Sequence, residues 1–126
     1  MKKIMIVDDS ATDRFFLSGM LTRHGFIVSQ AESGEEALER VKKELPDLVL
    51  MDIIMPGMNG FQATRAITKA PETAHIPVIV CTGKSQLTDR VWALRMGAKE
   101  CMPKPVDEAA LLARIASLGQ SEDADL

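Results

Sequence analysis

The sequence contains little cysteine, no large excess of charge of one sign and no long hydrophobic run. Cys81 and Cys101 are too few for a disulfide framework or a four-ligand zinc site, so we expect free thiols. The net charge of −3 argues against a nucleic-acid partner, because proteins that bind phosphate backbones concentrate Lys and Arg on one face. The N-terminal apolar run, Ile4 to Val7, is too short for a signal peptide or a membrane span, which predicts a cytoplasmic protein without membrane insertion.

The composition is that of one globular domain. Hydrophobic residues make up 46% and charged residues 26% of the 126 positions, which is enough apolar material for a core. We place this domain at residues 1–120 and expect the acidic segment 121–126 to be frayed. We expect no DNA-binding or enzymatic output domain, because only eight residues of the sequence follow Leu118.

Short apolar runs alternate with longer stretches in which apolar residues recur at helical spacing. The five runs are IMIV, IVSQA, LVLM, IPVIVC and ECM. Four of the longer stretches have an apolar stripe, namely Phe16, Leu17, Met20 and Leu21; Ala37, Leu38 and Val41; Leu87, Val91 and Leu94; and Leu111, Leu112, Ile115 and Leu118. The third stretch, from about Phe61 to Lys69, has the weakest stripe, and Trp92 is expected to pack beside the fourth.

Five strands alternating with five helices predict an α/β fold, with a doubly wound parallel sheet and helices on both faces. In such sheets the functional crevice lies outside the carboxyl ends of the strands. The chemically active residues at these ends are Asp8, Asp9, Asp52, Thr82 and Lys104. Any one of them could be an ordinary turn or cap residue, but five at the ends of four strands predict a site.

The three predicted carboxylates repel one another unless a cation neutralises them. All-oxygen ligation favours a hard divalent ion, most simply Mg²⁺. Asp52 is then placed to act as a nucleophile toward phosphorus, while Lys104 pairs with the phosphoryl group and Thr82 donates a hydrogen bond to it.

The motifs IVDDS, LMDIIMPGMNG, VCTG and KPV, spread from about Lys3 to Leu118, resemble the receiver domains of two-component response regulators. The resemblance implies a flavodoxin-like fold with strand order 2-1-3-4-5. It implies that Asp52 accepts a phosphoryl group from a histidine kinase, and that Thr82 and Lys104 sense it. Asp8, Asp9, Asp52 and the backbone carbonyl of Ile54 would hold Mg²⁺ or Mn²⁺, and the Lys104–Pro105 peptide bond would be cis.

More narrowly, MPGMNGFQATR and the VW pair resemble single-domain regulators of chemotaxis-like systems that control type IV pilus twitching motility. The chain departs from the family where Cys101 replaces a frequent aromatic switch residue and Val106 a frequent Phe. Ile54 and Lys84 occupy positions that tune hydrolysis in the family, and Ile54 offers no hydrogen bond to an attacking water.

Two other functions remain open at the level of sequence. An aspartyl-phosphate phosphohydrolase would need a second acid two residues after the nucleophile, where Ile54 stands. A flavin carrier of the same fold would place the cofactor phosphate against the acidic loop DDSAT. We therefore expect a phosphorylation switch that is not an enzyme, with a histidine kinase as partner and an unknown protein target, or a phosphate sink.

Overall fold

The computed structural model describes residues 2–83 and 87–124, and their side chains as far as residue 119. The strands are β1 (Lys3–Val7), β2 (Ile27–Ala31), β3 (Leu48–Asp52), β4 (Val78–Thr82) and β5 (Glu100–Pro103). The helices are α1 (Ala11–Arg23), α2 (Gly34–Glu44), α3 (Gly60–Lys69), α4 (Leu87–Arg95) and α5 (Glu108–Ala124). Strands and helices alternate along the chain, as the sequence predicts.

The five strands form one parallel sheet in the order β2-β1-β3-β4-β5. The predicted fold and strand order are therefore confirmed. β3 and β4 are buried along their whole length, which explains why they read as continuous apolar runs. All five carboxyl ends lie at one edge of the sheet.

Two apolar cores cover the two faces of the sheet, because successive strand side chains point to opposite sides. On one face, α2, α3 and α4 pack through Val41, Ile67 and Ala93. On the other, α1 and α5 pack through residues that include Leu21 and Leu111. The stripes of α1, α2 and α5 predict these contacts with two exceptions: Phe16 of α1 is half exposed, and Leu112 of α5 is only partly buried and is not among the residues of the two cores.

The predicted core stripe of α4 is wrong. Leu87, Val91 and Leu94 are exposed, and the buried residue of this helix is Ala93. Trp92 is also half exposed, with the guanidinium of Arg95 over its ring at 5.7 Å from the centroid. α4 is apolar on more than one side, so helical spacing alone does not identify the side that packs on the sheet.

The two cysteines are free and lie on neighbouring strands, as expected. Cys81 belongs to the core beneath α1 and α5, whereas Cys101 packs against the core beneath α2, α3 and α4. The thiols therefore lie on opposite faces of the sheet and cannot form an intrachain disulfide.

The last helix, α5, continues through Ala124 and so passes the expected domain boundary at residue 120. Residues 125–126 of the expected tail lie outside the described part of the chain. Among the described residues, no helix combines the length and the apolar character needed to cross a membrane.

Candidate functional site

Three carboxylates meet at the carboxyl edge of the sheet because β1 and β3 are paired neighbours. Val7 and Met51 are register partners, so Asp8 and Asp52 occupy matching positions one residue further along. Both of these residues are buried, whereas Asp9 is exposed. Carboxylate oxygens of Asp8, Asp9 and Asp52 lie within 4.8 Å of one another. The structure thus brings together the three acids that the sequence marks.

Lys104 reaches into this cluster from the loop after β5. Its Nζ lies 2.6 Å from Asp8 Oδ2 and 3.0 Å from Asp52 Oδ1. Its backbone N–H donates to the carbonyl of Thr82, at 2.8 Å, and its bond to Pro105 is cis as predicted. Thr82 is buried at the end of β4, so all five strand-end residues lie at the same edge.

A fourth carboxylate, that of Asp13, also contacts Lys104, with Oδ2 at 3.0 Å from Nζ. Asp13 is not among the residues that the sequence marks as functional, because an acid in the first turn of a helix is already explained by the helix dipole. The available signal was its position in the helix that begins directly after the Asp8–Asp9 loop. The contact itself depends on how α1 and the β5–α5 loop approach each other.

The turn that follows Asp52 is built around the start of α3. Asn59 and Gln62 form a capping box, in which each side chain accepts a hydrogen bond from the other's backbone N–H, at 3.0 and 2.9 Å. The Gly60 N–H donates to the Ile53 carbonyl at 2.8 Å, which folds the chain back onto the strand. Asn59 therefore caps α3, and Gly60 ties the start of that helix to the residue that follows Asp52.

The remaining predicted residues lie around this cluster. The Ile54 side chain is exposed beside Asp52. Cys101 is partly buried on β5 and packs against the core on the α2, α3 and α4 side of the sheet. Lys84 lies outside the described residues. The individual roles of these residues stay predictions.

The electrostatics of the cluster are dominated by burial and by Lys104. Burial raises the pKa of the Asp52 carboxyl to about 6; the Lys104 hydrogen bond opposes this rise, while the charges of Asp8 and Asp9 add to it. Burial alone would lower the pKa of the Lys104 ammonium, but its hydrogen bonds to Asp8, Asp13 and Asp52 outweigh burial and raise it. Lys104 therefore stays charged, but its positive charge does not fully offset the burial and the neighbouring acids that raise the pKa of Asp52.

The donor set fits a hard divalent cation. Asp8, Asp9 and Asp52 offer carboxylate oxygens close together, and oxygen ligands are those that Mg²⁺ prefers. The ammonium of Lys104 already rests against two of these acids, which indicates that the pocket attracts positive charge. A bound cation would stabilise the ionised form of Asp52 and so oppose the rise of its pKa.

Comparisons with known proteins agree with this geometry. The family model described as response regulator receiver domain matches residues 4–116. The protein PilH of Pseudomonas aeruginosa is 53% identical over 115 residues, which cover 91% of this chain and 95% of PilH.

Two solved structures are also similar to this chain. The chemotaxis protein CheY4 of Vibrio cholerae superposes with a TM-score of 0.86 at 28% identity, covering 94% of this chain and 98% of that one. The CheX–CheY complex of Borrelia burgdorferi, solved with BeF3 and Mg²⁺, gives a TM-score of 0.85 at 32% identity, covering 93% and 88% of the two chains. Each of the two shares the fold with this chain.

Proposed function

The chain belongs to the response regulator receiver domain family, and from this premise we propose that it is a phosphorylation switch whose phosphoacceptor is Asp52. The carrying observation is the buried Asp52 carboxylate, held at 3.0 Å from the Lys104 ammonium and clustered with Asp8 and Asp9. Receiver domains are phosphoacceptor switches, and histidine kinases are their partners. A twitching-motility pathway is supported by the similarity to PilH over nearly the full length of that protein.

In the proposed transfer, a carboxylate oxygen of Asp52 attacks the phosphorus of a phosphohistidine on the kinase. The new P–O bond forms as the P–N bond breaks, and the imidazole nitrogen keeps the electron pair of the broken bond. Lys104 then donates to a phosphoryl oxygen in place of the Asp52 oxygen that has become the bridging oxygen of the acyl phosphate, a mixed anhydride. Asp8, Asp9 and Asp52 would hold Mg²⁺, which supplies positive charge to offset that of the incoming group.

Thr82 and Cys101 are proposed to carry the signal away from the site. Thr82 is buried at the end of β4, and its backbone carbonyl accepts a hydrogen bond from the backbone N–H of Lys104. Cys101 is small and lies on the next strand, where relatives often have an aromatic residue. We expect phosphorylation to change the affinity for a protein target by only ~1 kcal/mol, at the low end of allosteric coupling.

The alternative functions lack support at this site. A phosphohydrolase of this chemistry needs an acid two residues after the nucleophile, and the residue there is the apolar Ile54. A bound flavin phosphate would meet the carboxylates that follow β1. We propose that the protein acts in the cytoplasm, where histidine kinases carry their phosphoryl group.

The test is phosphorylation of purified protein by acetyl phosphate, followed by intact-mass spectrometry, with and without Mg²⁺. The expected result is stoichiometric gain of one phosphate in the presence of Mg²⁺ and none in Asp52→Asn. Asp47→Asn is the matched control, because Asp47 is an acid at the opposite end of the sheet, bonded to the backbone N–H groups of Lys2 and Lys3. Stoichiometric labelling of Asp52→Asn would refute the proposal, and so would sustained release of phosphate from a small phosphate ester by the native protein.

A further inference from the structure

The Lys104 ammonium is surrounded by three carboxylates. Asp8, Asp13 and Asp52 accept from Nζ at 2.6, 3.0 and 3.0 Å. An ammonium group has three N–H donors, so these three bonds use all of them. Asp8 and Asp52 belong to the acidic cluster of the site, whereas Asp13 belongs to α1 and is not one of the clustered acids.

The backbone of Asp13 is fixed in the first turn of α1. Its backbone N–H donates to the Oγ of the N-cap residue Ser10, at 3.2 Å, which anchors the first turn of α1. Its side chain is 44% exposed, against 3% for Asp8 and 10% for Asp52. Asp13 therefore contacts Lys104 from the solvent side, while the other two acids contact it from the interior.

The Asp13–Lys104 pair also lines an open groove between α1 and the loop after β5. The groove has a volume of about 200 Å³, and its other lining residues include Thr12, Phe16 and Pro105. A phosphate donor that approaches Asp52 from this side meets the carboxylate of Asp13 close to the ammonium that should receive the phosphoryl oxygens. Like charges repel, and before transfer, while Asp52 still accepts from Nζ, all three donors of the ammonium are in use, so an incoming phosphoryl oxygen competes with Asp13 for one of them.

We infer that Asp13 is a positioning residue that holds Lys104 at the rim of the pocket and competes with the incoming phosphoryl group for its ammonium. This inference rests on the proposed function of Asp52. The resting protein then carries a built-in restraint on phosphorylation. Because the pair is partly exposed, its strength is that of a moderate ion pair and the restraint is a factor of a few.

The first experiment follows phosphorylation by acetyl phosphate over a range of donor concentrations at saturating Mg²⁺. Asp13→Asn keeps the shape and the helix position but removes the charge, and should lower the donor concentration for half-maximal rate about two- to fivefold. Glu32→Gln is the matched control, because Glu32 follows β2 at the same edge of the sheet and pairs with Arg14, at 3.3 Å. It should leave the donor dependence unchanged.

A double-mutant cycle then tests whether Asp13 acts through Lys104. In a Lys104→Met background, Asp13→Asn should no longer alter the donor dependence. An equal gain in the Met background would overturn the inference, because Asp13 would then act without Lys104. If Glu32→Gln lowered the donor concentration for half-maximal rate as much as Asp13→Asn does, the inference would also be overturned, because the change in net charge would then be the cause.

The contact between Asp13 and Lys104 is also measured without any phosphate donor, as the rate of hydrogen exchange of the Lys104 ammonium by NMR. Asp13→Asn should speed this exchange severalfold, and Glu32→Gln should not. An unchanged exchange rate in Asp13→Asn would overturn the inference. If native protein takes up no phosphate at Asp52, the proposed function fails and this exchange rate alone decides whether Asp13 positions Lys104.

Discussion

Gly60 packs against the backbone carbonyl of Asp52 so closely that a Cβ atom at position 60 would overlap the carbonyl oxygen. The nearest atoms are backbone atoms of Asp52 and Ile53, which cannot rotate away as a flexible side chain could. The same glycine starts α3 and donates its N–H to Ile53. The absence of a side chain at Gly60 is therefore a condition for the position of the Asp52 carboxylate.

Gly60→Ala should destabilise the protein by about 2 kcal/mol or more, because the backbone of β3 or α3 must shift to admit the methyl group. Phosphorylation at Asp52 should fall with it. Gly19→Ala is the control, since a Cβ in the middle of α1 would meet only Arg23 Nη1, at 3.7 Å. That change should stabilise the helix by about 0.5–1 kcal/mol. Urea unfolding of both variants measures the difference, and a Gly60→Ala variant of native stability would contradict the packing argument.

Ile54→Asn should accelerate the loss of phosphate from Asp52 by about tenfold, or ~1.4 kcal/mol of barrier. The exposed Ile54 side chain offers no hydrogen bond to an attacking water, whereas an amide could hold it in line with phosphorus. Decay of the phosphorylated protein is followed after donor removal at constant Mg²⁺. Ile54→Leu keeps the apolar surface and should decay at the native rate; an Asn variant as slow as the Leu variant would refute the water-orientation argument.

Asp52→Asn should stabilise the protein above about pH 6 in the absence of divalent cations. Burial raises the pKa of the Asp52 carboxyl to about 6, so folding favours its protonated form. The folded state then binds more protons than the unfolded state between about pH 4 and pH 6, and the free energy of unfolding falls as the pH rises through that window. The Asn variant lacks this loss.

The measurement is urea unfolding in EDTA across this pH range, in which the advantage of Asp52→Asn should shrink as the pH falls toward 4. Asp47→Asn gives the opposite sign. Burial opposes ionisation of Asp47, but hydrogen bonds from the backbone of Lys3 and Lys2 outweigh it and lower its pKa. An Asp52→Asn variant that is less stable than native protein above pH 6 would contradict this prediction. It would show that the contact with Lys104 stabilises the ionised carboxylate by more than burial destabilises it.

Thr64→Val should raise the free energy of unfolding by about 1 kcal/mol. Thr64 is fully buried on α3, and within the described part of the chain its Oγ1 has no hydrogen-bond partner. Valine keeps the shape and removes the unsatisfied hydroxyl. Thr64→Ser keeps the hydroxyl and removes the methyl, so it should destabilise. Thermal unfolding separates the two, and a Val variant less stable than native protein would indicate that the hydroxyl is satisfied in solution.

The sequence by itself determined the strands, the helices and the edge at which they meet. Apolar runs alternating with helical stretches require parallel βα units, and parallel strands bring their carboxyl ends together, so Asp8, Asp52 and Lys104 could be assigned to one site. These are consequences of chain order and periodicity, which are local properties. The strand order itself followed from the resemblance to the family.

Only the tertiary structure decided which sides of the helices pack and which side chains from different elements touch. It turned Leu87, Val91 and Leu94 of α4 toward solvent and buried Ala93, because several sides of that helix are apolar enough to pack on the sheet. It also brought Asp13 of α1 to Lys104, residues far apart in the chain. Such contacts depend on the distance between packed elements, and that distance is set by the whole core rather than by the pattern of any one segment.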